Sequence, residues 1–349
     1  MRDVPDVDPL EVGDPLFMDK CMSELTIGAR IDQVGPGWLL TVDPEGDGER
    51  LDRFIARRLP RVSRSRAARL TVSVLDEQDL PTSRHLKKST RLRVGQRLWV
   101  SRPLPPEDMS VLDEPTLLDQ DQDFVVINKP PGWVAHPTAS RYQSALTTWL
   151  KAQEISAVPA HRLDLETSGV VICARNRHVD VELRRAFLER SIDKTYLAFC
   201  EITHLGQDHL NAHPELWRDH TPLGFDRESQ VELKMGRGTL KAQTDFRVLH
   251  VDQDQGRVLI EARPQTGRQH QLRAHLALVG LPLVGDKLYG PSESLFLKHL
   301  EGALTAEDWH LLGHERHALH ASEISLRWKG QERRWTSPLP SDLHGLISR

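Results

Sequence analysis

The chain has 349 residues, 28% charged and 38% hydrophobic, with a net charge of -4; this excludes a disordered or fibrous chain and leaves room for two or three domains. Three widely spaced cysteines without a Cys-x-x-Cys pair argue against a disulfide frame or a thiolate zinc site. No apolar run approaches the ~20 residues needed to cross a bilayer, and no basic-then-apolar leader opens the chain, so a cytoplasmic protein is expected.

The net charge hides a strong pattern. Residues 1–49 hold 12 acidic and 3 basic side chains, residues 50–102 hold 4 and 15, and residues 103–128 hold 7 and none. A basic module between two acidic segments is the electrostatic footprint of a polyanion partner.

Residues 1–48 are read as an acidic N-terminal extension, with a possible strand at 37–43 before the turn Pro44–Gly48. A basic module follows over 49–103. Leu51, Phe54, Ile55 and Leu59 recur at helical spacing, with Arg53 and Arg57 on the other face, and Pro60 stops the helix. Ser63 can cap a second helix over Arg64–Leu70, which presents Arg64, Arg66 and Arg69. Leu92, Val94, Leu98 and Val100 suggest short strands around Gly95. The pieces Arg50–Phe54, Ser63–Arg66 and Leu92–Leu98 resemble the S4 RNA-binding domain, although Asp76-Glu77-Gln78-Asp79 stands where that family has a glycine-containing turn. The resemblance implies that Arg53, Arg57, Arg64, Arg66 and Arg69 grip RNA phosphates, giving affinity and register.

Residues 104–120, rich in proline and acid, read as a linker, and 121–349 as the main domain. Phe124–Ile127 is expected to be a strand, broken by Asn128-Lys129-Pro130-Pro131-Gly132. His161-Arg162-Leu163-Asp164-Leu165-Glu166-Thr167-Ser168-Gly169 leads into Val170–Ala174, a β-branched run that reads as a buried strand with Asp164 in the loop ahead of it. By itself Asp164 reads as a turn residue with Arg162 as surface partner. A helix is expected from Val179 to about Glu189, and a strand over Lys194–Phe199 that carries Tyr196. Residues 203–240 read as long loops. Strands at Lys241–Leu249 and Arg257–Ala262 lead to Pro264–Leu276, where a Thr-Gly turn opens a helix. Its buried stripe is Leu272, Leu276 and Val279, with His270 and Arg273 on a face away from it. A last strand, Ile324–Trp328, precedes a short final helix.

Three separated motifs then agree. His-Arg-Leu-Asp-x-x-Thr-Ser-Gly (161–169), Lys-Thr-Tyr-Leu-Ala (194–198) and Pro-x-Thr-Gly-Arg-x-His-Gln-Leu-Arg-x-His (264–275) resemble the RluA family of pseudouridine synthases in order and spacing. Asn128–Gly132, His136-Pro137 and Leu319-His320-Ala321 resemble its flanking motifs. The resemblance covers roughly 121–345. It implies an α+β fold, with a mixed, mainly antiparallel sheet as catalytic domain behind the small S4-like domain. It also implies conversion of uridine to pseudouridine in RNA without cofactor or metal. Asp164 matches the catalytic aspartate, Arg162 the arginine that fills the space of the flipped nucleotide, Tyr196 the tyrosine that stacks on the base, and Arg273 the arginine paired with the aspartate. His161, Thr167, Arg268 and His270 are expected at the substrate. The S4-like module favours ribosomal RNA of the large subunit over transfer RNA, and a monomer is expected. A non-catalytic RNA-binding or ribosome-assembly factor is the rival reading, which the intact Asp164, Tyr196 and Arg273 oppose. His310, His314, His317 and His320 lack the His-Glu-x-x-His spacing of a helical zinc site, and His320 is expected to support the core.

Overall fold

A computed structural model describes residues 37–59, 64–67, 70–75, 81–101, 107–138 and 141–347. The chain divides into two compact units at Pro106 and Glu107.

In the first unit, β1 (Gly37–Thr41), two helices, α1 (Leu51–Arg58) and α2 (Arg64–Ala67), and β2 (Thr71–Leu75), β3 (Pro81–His85) and β4 (Arg97–Ser101) follow in order. The strands make an antiparallel sheet ordered β1-β4-β2-β3. Leu51, Phe54 and Ile55, spaced to share one face of α1, pack with Leu40, Val42, Leu98 and Val100. Two boundaries differ from the sequence reading. Strand β1 pairs with β4 along its whole length, so the unit takes in residues that the extension to 48 had claimed. Leu92–Gln96 is a turn around Gly95 (φ +83°) rather than strand. The N-terminal 36 residues, Asp76–Asp79, Arg69 and the side chain of Arg66 lie outside the described residues.

The second unit runs through β5 (Thr116–Gln120), β6 (Phe124–Lys129), α3 (Leu146–Ala152), β7 (Val158–Pro159), β8 (Ser168–Ala174), α4 (Arg177–Leu188) and β9 (Ile192–Glu201). It continues through α5 (His204–Ala212), β10 (Leu216–Asp219), β11 (Leu223–Phe225), β12 (Met235–Arg237), β13 (Thr244–Asp252), β14 (Arg257–Pro264) and α6 (Gln271–Leu278). Helices α7 (Ser294–Leu300) and α8 (Ala306–Leu312) and strands β15 (Leu319–Trp328) and β16 (Gln331–Thr336) complete it, before a single 3-10 turn at Ser341–Leu343. The main sheet is ordered β10-β13-β14-β9-β15-β8-β6-β5, with β16 on β15 and β7 on β8. Every pairing is antiparallel except β15 with β8. The fold is therefore α+β with a mixed, mainly antiparallel sheet.

Strand β8 is buried at every position because both of its faces are covered. Val170 and Ile172 pack with Val179 and Leu183 of α4, while Val171 and Cys173 pack with Leu146 and Leu150 of α3. This is why its sequence is an unbroken apolar run rather than an alternation. Asn176 caps α4 by accepting from the Val179 N–H at 3.0 Å.

The expected linker is largely structural. Glu107 accepts from the N–H groups of Gln143 and Ser144 at 2.8 and 3.0 Å, and Thr116–Gln120 is the edge strand of the sheet. Residues 203–240, read as loops, hold α5, β10 and the β11–β12 hairpin. Their strands are three or four residues long, too short to print a periodic pattern.

Candidate active site

The loop ahead of β8 is anchored before it offers anything to solvent. Leu163 is buried among Trp133, Leu146 and Val171. Asp164 turns the other way and keeps 27% of its side chain exposed. Its carbonyl accepts from the Thr167 N–H at 3.1 Å, closing a turn. Lys129, fully buried, donates from Nζ to the carbonyls of Pro130, Trp133 and Leu165 at 3.0, 2.9 and 3.2 Å. The end of β6 at Lys129 is thereby a clamp: one ammonium satisfies three acceptors and ties two loops together. Burial pulls the Lys129 ammonium down to about 7, and the Arg316 charge adds to that while Asp164 opposes it.

Asp164 meets Arg273 of α6 at 3.3 Å. That arginine is held more firmly elsewhere. Its Nε and Nη2 donate to the two carboxylate oxygens of Asp286 at 2.7 and 2.9 Å. Asp286 also accepts from the N–H groups of Leu288 and Tyr289 at 3.0 Å each. The Tyr289 ring lies under the guanidinium, 5.0 Å from its carbon. Burial works against the Asp286 charge, but Arg273 overcomes it and holds the carboxyl at about 2. For Asp164 burial again opposes charge, and Arg273, His270 and His317 together hold its carboxyl below the usual range.

Beside this lies a second buried network. Glu166 accepts from Lys287 Nζ at 2.8 Å and from the His317 N–H at 2.9 Å, with the His317 ring 3.3 Å away. The other ring nitrogen of His317 is 2.8 Å from Thr167 Oγ1. Arg316 donates to the Glu166 carbonyl at 2.9 Å and pairs with Asp342. The loop carrying Asp164 is thus fixed at Leu165, Glu166 and Thr167 by three elements distant in sequence.

Tyr196, on β9, sits in register with Ala262 of β14 and Ala321 of β15, two small neighbours that leave room beside its ring. Burial and the Asp164 charge both push its phenol upward, so it stays protonated. Arg162 is exposed. His270 opens α6 with a left-handed backbone (φ +49°), and its Nδ1 is 3.1 Å from the Tyr289 hydroxyl. The structure therefore gathers Asp164, Tyr196, Arg273 and His270.

Other expected site residues stand apart. His161 packs against Phe187 at 5.0 Å and accepts the Ile172 N–H on Nε2 at 3.1 Å. Burial pushes its imidazole down to about 3, helped by Lys194, so it is a neutral prop for β8. Thr167 is buried and faces His317. Arg268 is exposed and donates to the Lys241 carbonyl at 3.0 Å. Arg273 is not on an open face of α6: Gln271 through Leu276 are all buried, because the β11–β12 hairpin covers the side opposite the sheet.

In the first unit Arg57 pairs with Asp43 and Glu49 at 3.0 Å each, and Arg64 with Asp52 at 3.2 Å. Part of the basic charge seen in the sequence is thus neutralised internally, while Arg53 is exposed. His320 is buried between Ser168 Oγ and the Ser337 carbonyl, 3.0 and 3.2 Å away. Among the described residues no cluster of His, Cys, Asp and Glu could hold a metal ion, and no helix is long and apolar enough to cross a membrane.

Sequence reasoning missed Asp286, Lys287, Tyr289, Glu166 and Lys129 as parts of the site. The run Gly285-Asp286-Lys287-Leu288-Tyr289-Gly290 carried a signal: an acid and a base side by side between apolar residues, where unpaired charge would be costly.

An ionised and mostly buried carboxylate, near an aromatic ring and backed by a fixed cation, can attack or stabilise an electron-poor carbon. Residues 123–278 match the family model described as RNA pseudouridylate synthase. The chain is 30% identical over 321 residues to the ribosomal large subunit pseudouridine synthase D of Neisseria meningitidis serogroup A, covering 88% of this chain and 80% of that one. It is 30% identical over 317 residues to the protein of the same name from Xanthomonas campestris, covering 86% and 88%. Human RNA pseudouridylate synthase domain containing 1 shares the fold, with a TM-score of 0.53 and 23% identity over 70% of this chain and 91% of its own. With the motifs, the sheet and the relatives in agreement, the chain belongs to the RluA family of pseudouridine synthases and is an RNA-modifying isomerase.

Proposed function

We propose that Asp164 is the catalytic carboxylate for isomerisation of uridine in large-subunit ribosomal RNA. In this reading Arg162 fills the gap left by the extruded nucleotide and Tyr196 stacks on the base. Extrusion costs a few kcal/mol, which contacts of this kind offset. The bond between N1 of the ring and the sugar breaks, a bond from C5 to the same sugar carbon forms, the C5 proton leaves and N1 takes up a proton. Atoms and electrons balance without oxidant or reductant, so the reaction itself calls for no cofactor.

The observation that carries the reading is the contact of Asp164 with Arg273 at 3.3 Å. It keeps a partly exposed carboxylate charged where the detached uracil must be held. Ribosomal RNA is favoured because relatives at 30% identity over most of the chain are named for the large subunit. The basic module of the first unit, read as S4-like with Arg53, Arg57, Arg64, Arg66 and Arg69, would grip phosphates of that RNA. A monomer working in the cytoplasm completes the reading.

The test is tritium release from 5-tritiated, unmodified large-subunit ribosomal RNA and transfer RNA, with wild type and Asp164→Asn. Release from ribosomal RNA by wild type alone, with RNA binding retained by the variant, is expected. Release from transfer RNA alone would move the substrate. Turnover by Asp164→Asn within about tenfold of wild type would remove Asp164 from its role.

A further inference from the structure

His270 holds a conformation that its place in the helix does not require. It is the residue just before α6, with φ +49° and ψ +21°, a left-handed backbone that few non-glycine residues adopt. A short polar side chain here would cap the helix, yet the imidazole makes no capping bond. The turn is pinned without it: Gln271 Oε1 accepts from the Thr266 hydroxyl at 2.6 Å and from the Arg268 N–H at 3.0 Å. Neither the turn nor the helix start uses the ring.

The ring's own contacts fix which nitrogen carries its proton. Nδ1 lies 3.1 Å from the Tyr289 hydroxyl, and the two rings meet edge to face with centroids 5.7 Å apart. The same hydroxyl accepts from the Met235 N–H at 2.7 Å. A peptide N–H can only donate, so one lone pair of the phenol oxygen is taken and its single hydrogen still needs an acceptor. Burial raises the Tyr289 pKa, so that hydrogen is present at pH 7. Among the described residues Nδ1 is the acceptor this buried hydroxyl meets, and Nδ1 is therefore unprotonated. Burial pushes the imidazole down to about 4; Arg273 and His317 add to this, and Asp164 and Asp286 oppose it. The ring is thus neutral at pH 7 with its proton on Nε2. Among the described residues Nε2 has no hydrogen-bond partner. It stands at the candidate site: Arg273, one turn along α6, touches Asp164, and Tyr289 lies under that guanidinium.

We propose that His270 is a further catalytic residue, whose Nε2–H donates a hydrogen bond to a carbonyl oxygen of the uracil ring, and that Tyr289 is the positioning residue that keeps the imidazole in the donating tautomer. When the bond from N1 to the sugar breaks, its electron pair stays with the ring and spreads onto the carbonyl oxygens. A donor already aimed there stabilises that charge without having to move. The charge fades when C5 uses an electron pair to bond the same sugar carbon; the C5 proton then leaves and N1 takes up a proton. The proton on Nε2 stays where it is throughout, so the imidazole ends the cycle as it began. The proposal rests on the isomerase reading for its substrate and deepens it, by naming what meets the oxygen of the base.

The experiment uses the full chain with unmodified large-subunit ribosomal RNA and transfer RNA transcribed in vitro. It compares wild type, His270→Leu, His270→Asn, His270→Gln, Tyr289→Phe and the double variant Tyr289→Phe/His270→Leu, with melts to establish that each is folded. Variants are scored on whichever RNA wild type turns over, so a wrong choice of RNA cannot pass for a failed donor. His270→Leu is expected to lower kcat about a hundredfold while KM stays within about threefold. His270→Gln, whose amide reaches the place of Nε2, should recover to within about tenfold of wild type. His270→Asn, whose amide reaches only the place of Nδ1, should be as slow as His270→Leu, although asparagine suits the left-handed backbone. Tyr289→Phe keeps its ring under Arg273 and should lower kcat about tenfold, but should add nothing to His270→Leu. Nitrogen-15 spectra of wild type, with His270 assigned by its absence from the His270→Gln spectrum, should show a bare Nδ1 and a protonated Nε2 at pH 7. A protonated Nδ1 would overturn the proposal whatever the activity of any variant. So would His270→Asn as fast as His270→Gln, or a folded His270→Leu with kcat within about threefold of wild type.

Discussion

Arg273 holds Asp286 with two hydrogen bonds, at 2.7 and 2.9 Å, and reaches Asp164 with one at 3.3 Å. The cation at this site is thus built on a fully buried carboxylate and only lent to the exposed one. A guanidinium held by a two-point contact cannot swing, so Asp164 finds its partner in one place.

This arrangement predicts unequal costs. Arg273→Leu strands the buried Asp286 and should destabilise the fold by about 3–5 kcal/mol. The double variant Arg273→Leu/Asp286→Leu removes both buried charges and should recover a good part of that loss, although activity stays absent. Urea melts of the two singles and the double measure the coupling. Equal stability of single and double variants would show that the pair is not energetically linked.

The acid limb of stability follows from the same pair. Asp286 is held at about 2, below the ordinary aspartate value of 3.8. A depressed carboxyl contributes stability above its unfolded pKa and loses it as pH falls through the folded one. Asp286→Asn should therefore be less stable than wild type at pH 7, with the gap closing between about pH 4 and 2. Denaturation followed across that window checks it.

Asp164→Asn should lower the isomerisation rate by more than about a thousandfold while RNA affinity stays within about twofold of wild type. Single-turnover rates together with binding isotherms separate the two effects.

Lys129→Met leaves the carbonyls of Pro130 and Trp133 without a donor, and leaves the Leu165 carbonyl with the Gly132 N–H alone. Each orphaned acceptor costs about 1–3 kcal/mol, so the variant should unfold at clearly lower urea. Any folded fraction should turn over slowly, because the loop carrying Asp164 loses one of its two ties at Leu165. A variant as stable and active as wild type would dismiss the clamp.

In the first unit, Arg53→Gln should weaken RNA binding more than Arg57→Gln. Arg53 is exposed, whereas Arg57 is already shared between Asp43 and Glu49. Salt titrations of both variants decide between them.

The sequence displayed the long elements and the motif loops. Strand β8 was legible from its apolar run, α4 from its stripe, and the meeting of Asp164, Tyr196 and Arg273 from the family resemblance. What stayed hidden has physical reasons. The hairpin strands are too short for periodicity, and their glycines read as loop. The ties of Glu166 to Lys287 and His317 span 121 and 151 residues, and a charge pair separated so far leaves no local pattern. The ion pairs of Arg57 and Arg64 reach back 8 to 14 residues, outside the three- and four-residue spacing that marks a helix pair, so the basic module looked more strongly charged than its surface is.

Strand β15 has a consequence for how the enzyme comes into being. Asp164 belongs to the half of the sheet built from β5 to β8, and Tyr196 and Arg273 to the half built from β9 to α6. In the described sheet β15 is the strand between them, antiparallel to β9 and parallel to β8 at Ser168 and Gly169. The fit is so close that a Cβ on Gly169, whose φ is +122°, would collide with the Ala321 carbonyl. A nascent chain that stops short of residues 319–328 therefore lacks the strand that bridges the two parts of the sheet. Because that strand is made near the end of synthesis, the sheet that brings Asp164 beside Tyr196 and Arg273 is complete only once most of the chain has emerged.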